Sequence, residues 1–206
     1  MPDARWTYDQ YATHQPVLYT ALKHTSGPVI EFGCGHGSTP LLHRYCVARN
    51  RELLTLDTDR GWLDPMANDY HHLSHWYIYV NDWAEVLSDE RIVGRAWSVA
   101  FVDQSPWEAR HLTIQAVKHT ARFIVLHDCD YYPEHEMFGK SLAPLNGSQQ
   151  RGERDYSDVF KYWAEHFPPD PWPYERTGPP TLVGSNFEPC DWAVDWEACR
   201  TEESMT

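Results

Sequence analysis

The 206 residues, 42% apolar and 14% aromatic, suffice for one domain with a complete core, which excludes a disordered chain and argues against two full domains. With 17 Lys and Arg against 30 Asp and Glu the formal net charge is -13, which repels nucleic acid, and the basic residues, Arg44 to Arg51 included, form no stripe that would override it. Five cysteines without a CxxC pair argue against a disulfide framework or zinc ribbon, and no leader-like or membrane-length apolar run stands in the sequence, so a soluble, cytoplasmic protein is expected.

A first helix is expected within residues 8–25, starting near His14 because Pro16 is tolerated only in a first turn, and stopping at Ser26-Gly27-Pro28. Val29 to Phe32 reads as a strand, Ser38 to Ala48 as a helix, and Leu53 to Leu56 as a strand ending at Asp57. Asp59 to Tyr70 follows as a short helix and Trp76 to Val80 as a third strand ending at Asn81-Asp82. Trp97 to Val102 is a fourth strand ending at Asp103, Trp107 to Thr120 a helix, and Phe123 to Leu126 a fifth strand running into His127-Asp128. Such alternation predicts right-handed crossovers and a parallel sheet covered by helices on both faces.

Beyond the fifth strand the pattern changes. Residues 129–154, polar and aromatic with several Pro and Gly, read as a lid or substrate loop. Residues 155–166 carry Val159, Phe160, Tyr162 and Trp163 in a helical rhythm. Tyr174 to Thr177 and Pro180 to Gly184 read as two antiparallel strands joined at Gly178-Pro179, and 186–206 as an irregular tail. The expectation is a single α/β domain over 1–206, with its core at 28–185 and a mostly parallel sheet finished by one antiparallel edge strand.

Gly33-Cys34-Gly35-His36-Gly37-Ser38 leaves a strand and opens a helix, the setting in which glycines allow a tight turn and close approach of a ligand to backbone amides. The dinucleotide form of such a loop is GxGxxG, whereas the spacing here is GxGxG, which favours a different ligand. Asp57, at the end of the next strand, is placed to accept from ribose hydroxyls in either case.

The succession of Glu31, GxGxG, Asp57, Asn81-Asp82-Trp83, Phe101-Val102-Asp103 and His127-Asp128 at strand ends resembles the class I S-adenosylmethionine-dependent methyltransferases, over residues 28 to 185. The resemblance implies a Rossmann-like sheet of seven strands and methyl transfer to an oxygen or nitrogen of a small molecule. It implies that Gly33, Gly35 and Gly37 line the methionine and ribose of the cofactor, with Glu31 orienting the loop or reaching the amino group. Asp57 would hold the ribose, Asp59 being the alternative, Asp82 would accept from the adenine amine with Trp83 beside it, and Asp103 would lie beside the reacting methyl.

The ends of the fourth and fifth strands also resemble those of metal-dependent small-molecule O-methyltransferases, in which two Asp and an Asn hold magnesium. That would make Asp103 and Asp128 ligands, with Cys129 where those enzymes have Asn. Without a metal, His127 is the natural general base and Asp128 its orienting partner or a contact for a substrate amine. The His71 to His75 segment lacks a local carboxylate and reads as a solvated loop. The partner expected is a small-molecule acceptor, with no membrane, nucleic acid disfavoured, and a homo-oligomer left open. Two competing functions are a nicotinamide-dependent oxidoreductase, which has no use for Asp82-Trp83, and a non-catalytic interaction module that keeps the methyltransferase shape.

Overall fold

The structure, a computed structural model, describes residues 12–129, 156–169 and 179–196. In chain order its main elements are α1 (Gln15–Lys23), β1 (Val29–Phe32), α2 (Thr39–Ala48), β2 (Leu53–Asp57), α3 (Arg60–Asp69), β3 (His75–Tyr79), α4 (Glu90–Val93), β4 (Trp97–Val102), α5 (Arg110–Val117), β5 (Ala121–Leu126), β6 (Tyr162–His166) and β7 (Thr181–Ser185). Pro16 sits in the first turn of α1, where its missing N–H costs nothing. Between β3 and β4 the chain uses a 3-10 segment, Trp83–Leu87, and the single turn of α4, neither of which the periodicity announced.

The seven strands order as β3-β2-β1-β4-β5-β7-β6, with the first five parallel. The antiparallel edge forms as expected, and its reversed member is β7, paired against both β5 and the outermost β6. Alternation along the strands divides the core. Ile30, Phe32, Ala100, Val102, Ile124 and Leu126 face a layer holding Ile92, Ile114, Val117 and Trp83. Val29, Val99, Phe101, Phe123 and Val125 face α1 and α2 through Leu18, Leu22, Leu41 and Leu42. Burial on both faces is why these strands read as unbroken apolar runs.

The helix expected over 155–166 does not form. After a turn at Tyr156, in which Phe160 N–H donates to the Tyr156 carbonyl, the chain enters β6. Trp163 packs on one sheet face and Tyr162 on the other, so adjacent aromatics bury on opposite sides and imitate a helical rhythm. The strand expected at 180–184 is β7, and its hairpin partner is β6; Tyr174–Thr177 and the lid from residue 130 to 154 lie outside the described residues. Among the described residues no helix is long and apolar enough to cross a membrane.

Strand order reverses between β1 and β4, both beginning crossovers toward opposite edges of the sheet. The carboxyl ends of these two strands therefore bound the crevice in which an open parallel sheet takes its ligand.

Candidate active site

The glycine loop follows β1, and its shape is held from three sides. Gly33 has φ of 87°, and a Cβ there would stand 2.5 Å from Gln104 Cα and 2.6 Å from Gln104 N, so only glycine fits between the ends of β1 and β4. Cys34 N–H donates to Asp57 Oδ2 at 2.9 Å, fastening the loop to the end of β2. Gly35 N–H donates to Thr39 Oγ1 at 3.0 Å, and that hydroxyl donates onward to Glu31. A Cβ on Gly35 would meet nothing within 4 Å; this glycine leaves open space where the backbone faces the crevice.

Glu31 is fully buried and accepts from Ser38 Oγ at 2.6 Å, Thr39 Oγ1 at 3.0 Å and Thr55 Oγ1 at 2.7 Å. Burial raises its carboxyl to about 7 although the three hydroxyls pull it down. These contacts tie Glu31 to Ser38 and Thr39 at the far end of the glycine loop. Thr55 Oγ1 also lies 2.9 Å from His75 Nε2, so His75 is a buried member of this network, while His71 and His72 are exposed as expected of a loop. Burial keeps His75 neutral, at about 3.

Asp57 Oδ1 also accepts from Asp59 N–H at 2.8 Å, and Asp59 itself caps α3 by accepting from Gly61 N–H. Asp82, exposed, caps the 3-10 segment by accepting from Ala84 N–H at 2.8 Å. Trp83 does not stand open at an adenine edge. Its ring is 3% exposed within the core, against Phe32, because the apolar layer beneath β4 takes the indole and leaves only Nε1 to donate to the Ser105 carbonyl at 2.8 Å. It therefore braces the loop after β4 from behind.

At the ends of β4 and β5, Asp103, His127, Asp128 and Arg110 form one charged cluster. Asp103 Oδ1 accepts from Arg110 Nη2 at 2.8 Å, and Asp103 Oδ2 lies 3.2 Å from His127 Nδ1. The other imidazole nitrogen, Nε2, lies 3.1 Å from Asp128 Oδ1. Burial works against a charged Asp103, but His127, Arg110 and His14 hold it at about 2. Burial likewise opposes the His127 imidazolium, and the carboxylates of Asp103 and Asp128 more than offset it, so His127 is raised. His127 thus sits between two carboxylates, one at each ring nitrogen. Asp128, held at φ of 48°, is raised by burial in spite of His127.

A cavity of about 230 Å³ connects the two halves of the site, lined by His14, Cys34, Gly35, Trp62 and Asp103 among others. No family model matches the chain, and no curated protein matches it. Solved structures do. An S-adenosylmethionine-dependent methyltransferase from Anabaena variabilis superposes with a TM-score of 0.50 at 12% identity, over 84% of this chain and 85% of that one. The METTL16 methyltransferase domain gives 0.51 at 14%, over 85% and 67%. A probable spermidine synthase from Corynebacterium glutamicum gives 0.52 at 10%, over 87% and 65%. The chain has the class I methyltransferase fold.

Magnesium does not fit the carboxylates that the resemblance suggested for it. On this fold Asp103 and Asp128 flank opposite nitrogens of one imidazole, which keeps them from converging, and Cys129 is buried in the core with its carbonyl taken by Tyr156 Oη.

Three residues of the site had gone unassigned in the sequence. Arg110 falls with Thr113, Ile114 and Val117 on the buried stripe of α5, and a charge on such a stripe is the signal of a buried counter-ion. His14, noted in the sequence only as a helix start, reaches the cavity beside Phe101 and His127. Trp62, 47% exposed on α3, gave no signal, since one exposed aromatic on a helix is ordinary.

Proposed function

We propose that this chain binds S-adenosylmethionine across the carboxyl ends of β1 to β4 and transfers its methyl group to an oxygen or nitrogen of a small molecule. The observation that carries the reading is the glycine loop: Gly35 leaves open space at the crevice while Cys34 and Asp57 hold the loop to the neighbouring strand. In this reading Gly33 shapes the turn, and Gly35 and Gly37 admit the methionine and ribose. Asp57 takes the ribose hydroxyls with its remaining lone pairs, Asp59 being engaged as a helix cap. Asp82 accepts from the adenine amine, with the Ser105 loop, braced by Trp83, on the far side of the ring.

Asp103 lies beside the reacting sulfonium and supplies negative charge close to it. When bound, S-adenosylmethionine would supply the methyl group to the lone pair of the acceptor and leave as S-adenosylhomocysteine, while the proton of the acceptor passes to the Asp128 carboxylate. His127, with one ring nitrogen toward each carboxylate, holds Asp103 and Asp128 apart and in place. The protein's share is positioning and proton removal. The net charge of -13 favours neutral or cationic small acceptors over nucleic acid.

The test is to incubate the protein with methyl-labelled S-adenosylmethionine and pools of small alcohols, phenols and amines. Mass spectrometry then follows the labelled product and S-adenosylhomocysteine. Labelled product that disappears in Asp128→Asn supports the reading. No turnover of any pool by a protein that binds the cofactor would leave a binding module instead.

A further inference from the structure

We propose that His14, Asp103 and His127 form a binding site for a divalent first-row transition-metal ion at the floor of the cavity. One potential ligand atom from each of the three lies within 4.8 Å of the others. Metal–ligand bonds of about 2.0–2.2 Å place neighbouring donors roughly 3–3.5 Å apart. His127 Nδ1 and Asp103 Oδ2, at 3.2 Å, already meet that spacing. His14 completes it by a small ring movement from its place 4.3 Å, centroid to centroid, from His127. His14 and Asp103 both line the cavity.

The surroundings of the three donors are those of a metal site. Thr13 Oγ1 donates its only proton to the Pro179 carbonyl at 2.8 Å, so toward His127 Nε2, 3.3 Å away, it acts as an acceptor. Asp128 Oδ1 is a second acceptor for the same nitrogen. Nε2 therefore carries hydrogen, and Nδ1 is the nitrogen that faces Asp103 and His14. This is the arrangement in which a ligating histidine donates its other N–H to a carboxylate. Arg110 occupies Asp103 Oδ1 and leaves Oδ2 to the ion.

Two imidazoles and one carboxylate select zinc, cobalt, nickel or iron over magnesium, and three protein donors leave coordination positions open. The site stands on its own geometry; its use, to bind the acceptor oxygen or nitrogen beside the methyl group, rests on the proposed function.

The test strips the full chain with a chelator and titrates it with Co2+, following the visible absorption bands and the heat of binding. S-Adenosylhomocysteine affinity and thermal unfolding are measured on the same samples. The expected result is one equivalent of Co2+ bound. Asp128→Asn weakens binding about 10- to 100-fold, as loss of such a supporting carboxylate does. His14→Gln, at a buried ring beside Phe101 and His127, weakens it at least as much, and the cooperative unfolding transition of that variant shows that it is folded. His72→Ala, a change at an exposed histidine away from the cavity, leaves binding intact. Absence of Co2+ binding, binding unaffected by His14→Gln, or binding lost in His72→Ala would overturn the proposal. Retained Co2+ binding without any affinity for S-adenosylhomocysteine would sink the cofactor reading and leave the metal site standing.

Discussion

The backbone N–H of Cys34 donates to the carboxylate of Asp57 at 2.9 Å, which makes the loop after β1 and the end of β2 one rigid unit. A ligand lying across both strand ends meets a floor that is already formed. Replacing Asp57 with Ala removes a charged acceptor of two backbone N–H groups, and such bonds are worth about 1.5–3 kcal/mol each. Asp57→Ala is expected to lose at least about tenfold in S-adenosylhomocysteine affinity by calorimetry. Unchanged affinity would mean that the carboxylate only braces the loop.

Gly33 and Gly35 stand two residues apart and are expected to fail differently. At Gly33 a Cβ overlaps the Gln104 backbone at a positive φ, so Gly33→Ala costs about 3–5 kcal/mol in denaturant unfolding. At Gly35 the Cβ enters empty space, so Gly35→Ala keeps the stability and loses the ligand. Equal stability loss in both variants would contradict the division of tasks.

Glu31 links stability to pH. Its folded value of about 7 lies above the ordinary 4.5, so its contribution is fully present below 4.5 and is lost as pH rises through 7. Relative to Glu31→Gln, the wild-type protein is expected to lose about 3 kcal/mol of stability between pH 4.5 and pH 8. His75, held near 3, acts in the opposite sense below 6.5, and comparison with the variant cancels it. Parallel stability curves for the two proteins would refute the assignment.

Arg110 donates to Asp103 Oδ1 at 2.8 Å, to the His127 carbonyl at 2.7 Å and to the Gln104 carbonyl at 3.0 Å. Arg110→Ala strands a largely enclosed carboxylate and two carbonyls, for an expected loss of about 3–5 kcal/mol in chemical unfolding. Arg110→Lys is expected to recover less than half of it, because one ammonium cannot reproduce the fork. Full rescue by Lys would show that only the charge matters.

Most of the sheet was legible because its strands are buried on both faces and each ends in a polar residue. Val29 to Phe32 and Trp97 to Val102 are apolar apart from Glu31 and Ser98, and Gly33, Asp57 and Asp103 mark where the neighbouring strands stop. Beyond β5 the logic changed: β6 is an outer strand with aromatics on both faces, a pattern that a period-based reading takes for a helix. Within the site, strand-end acids could be placed from sequence, whereas Trp83 could not. Whether an indole after a strand end faces ligand or core depends on the layer beneath it, here the apolar surface around Phe32. The surroundings of His127 were not legible either, since only the fold sets carboxylates on both its nitrogens.

The most direct test of the central claim is a calorimetric titration of the purified chain with S-adenosylhomocysteine and, in parallel, NAD, repeated on Gly35→Ala. The expected result is one-to-one binding of S-adenosylhomocysteine alone, abolished in Gly35→Ala without a change in unfolding temperature. Binding of NAD in its place, or of neither ligand, would contradict the account.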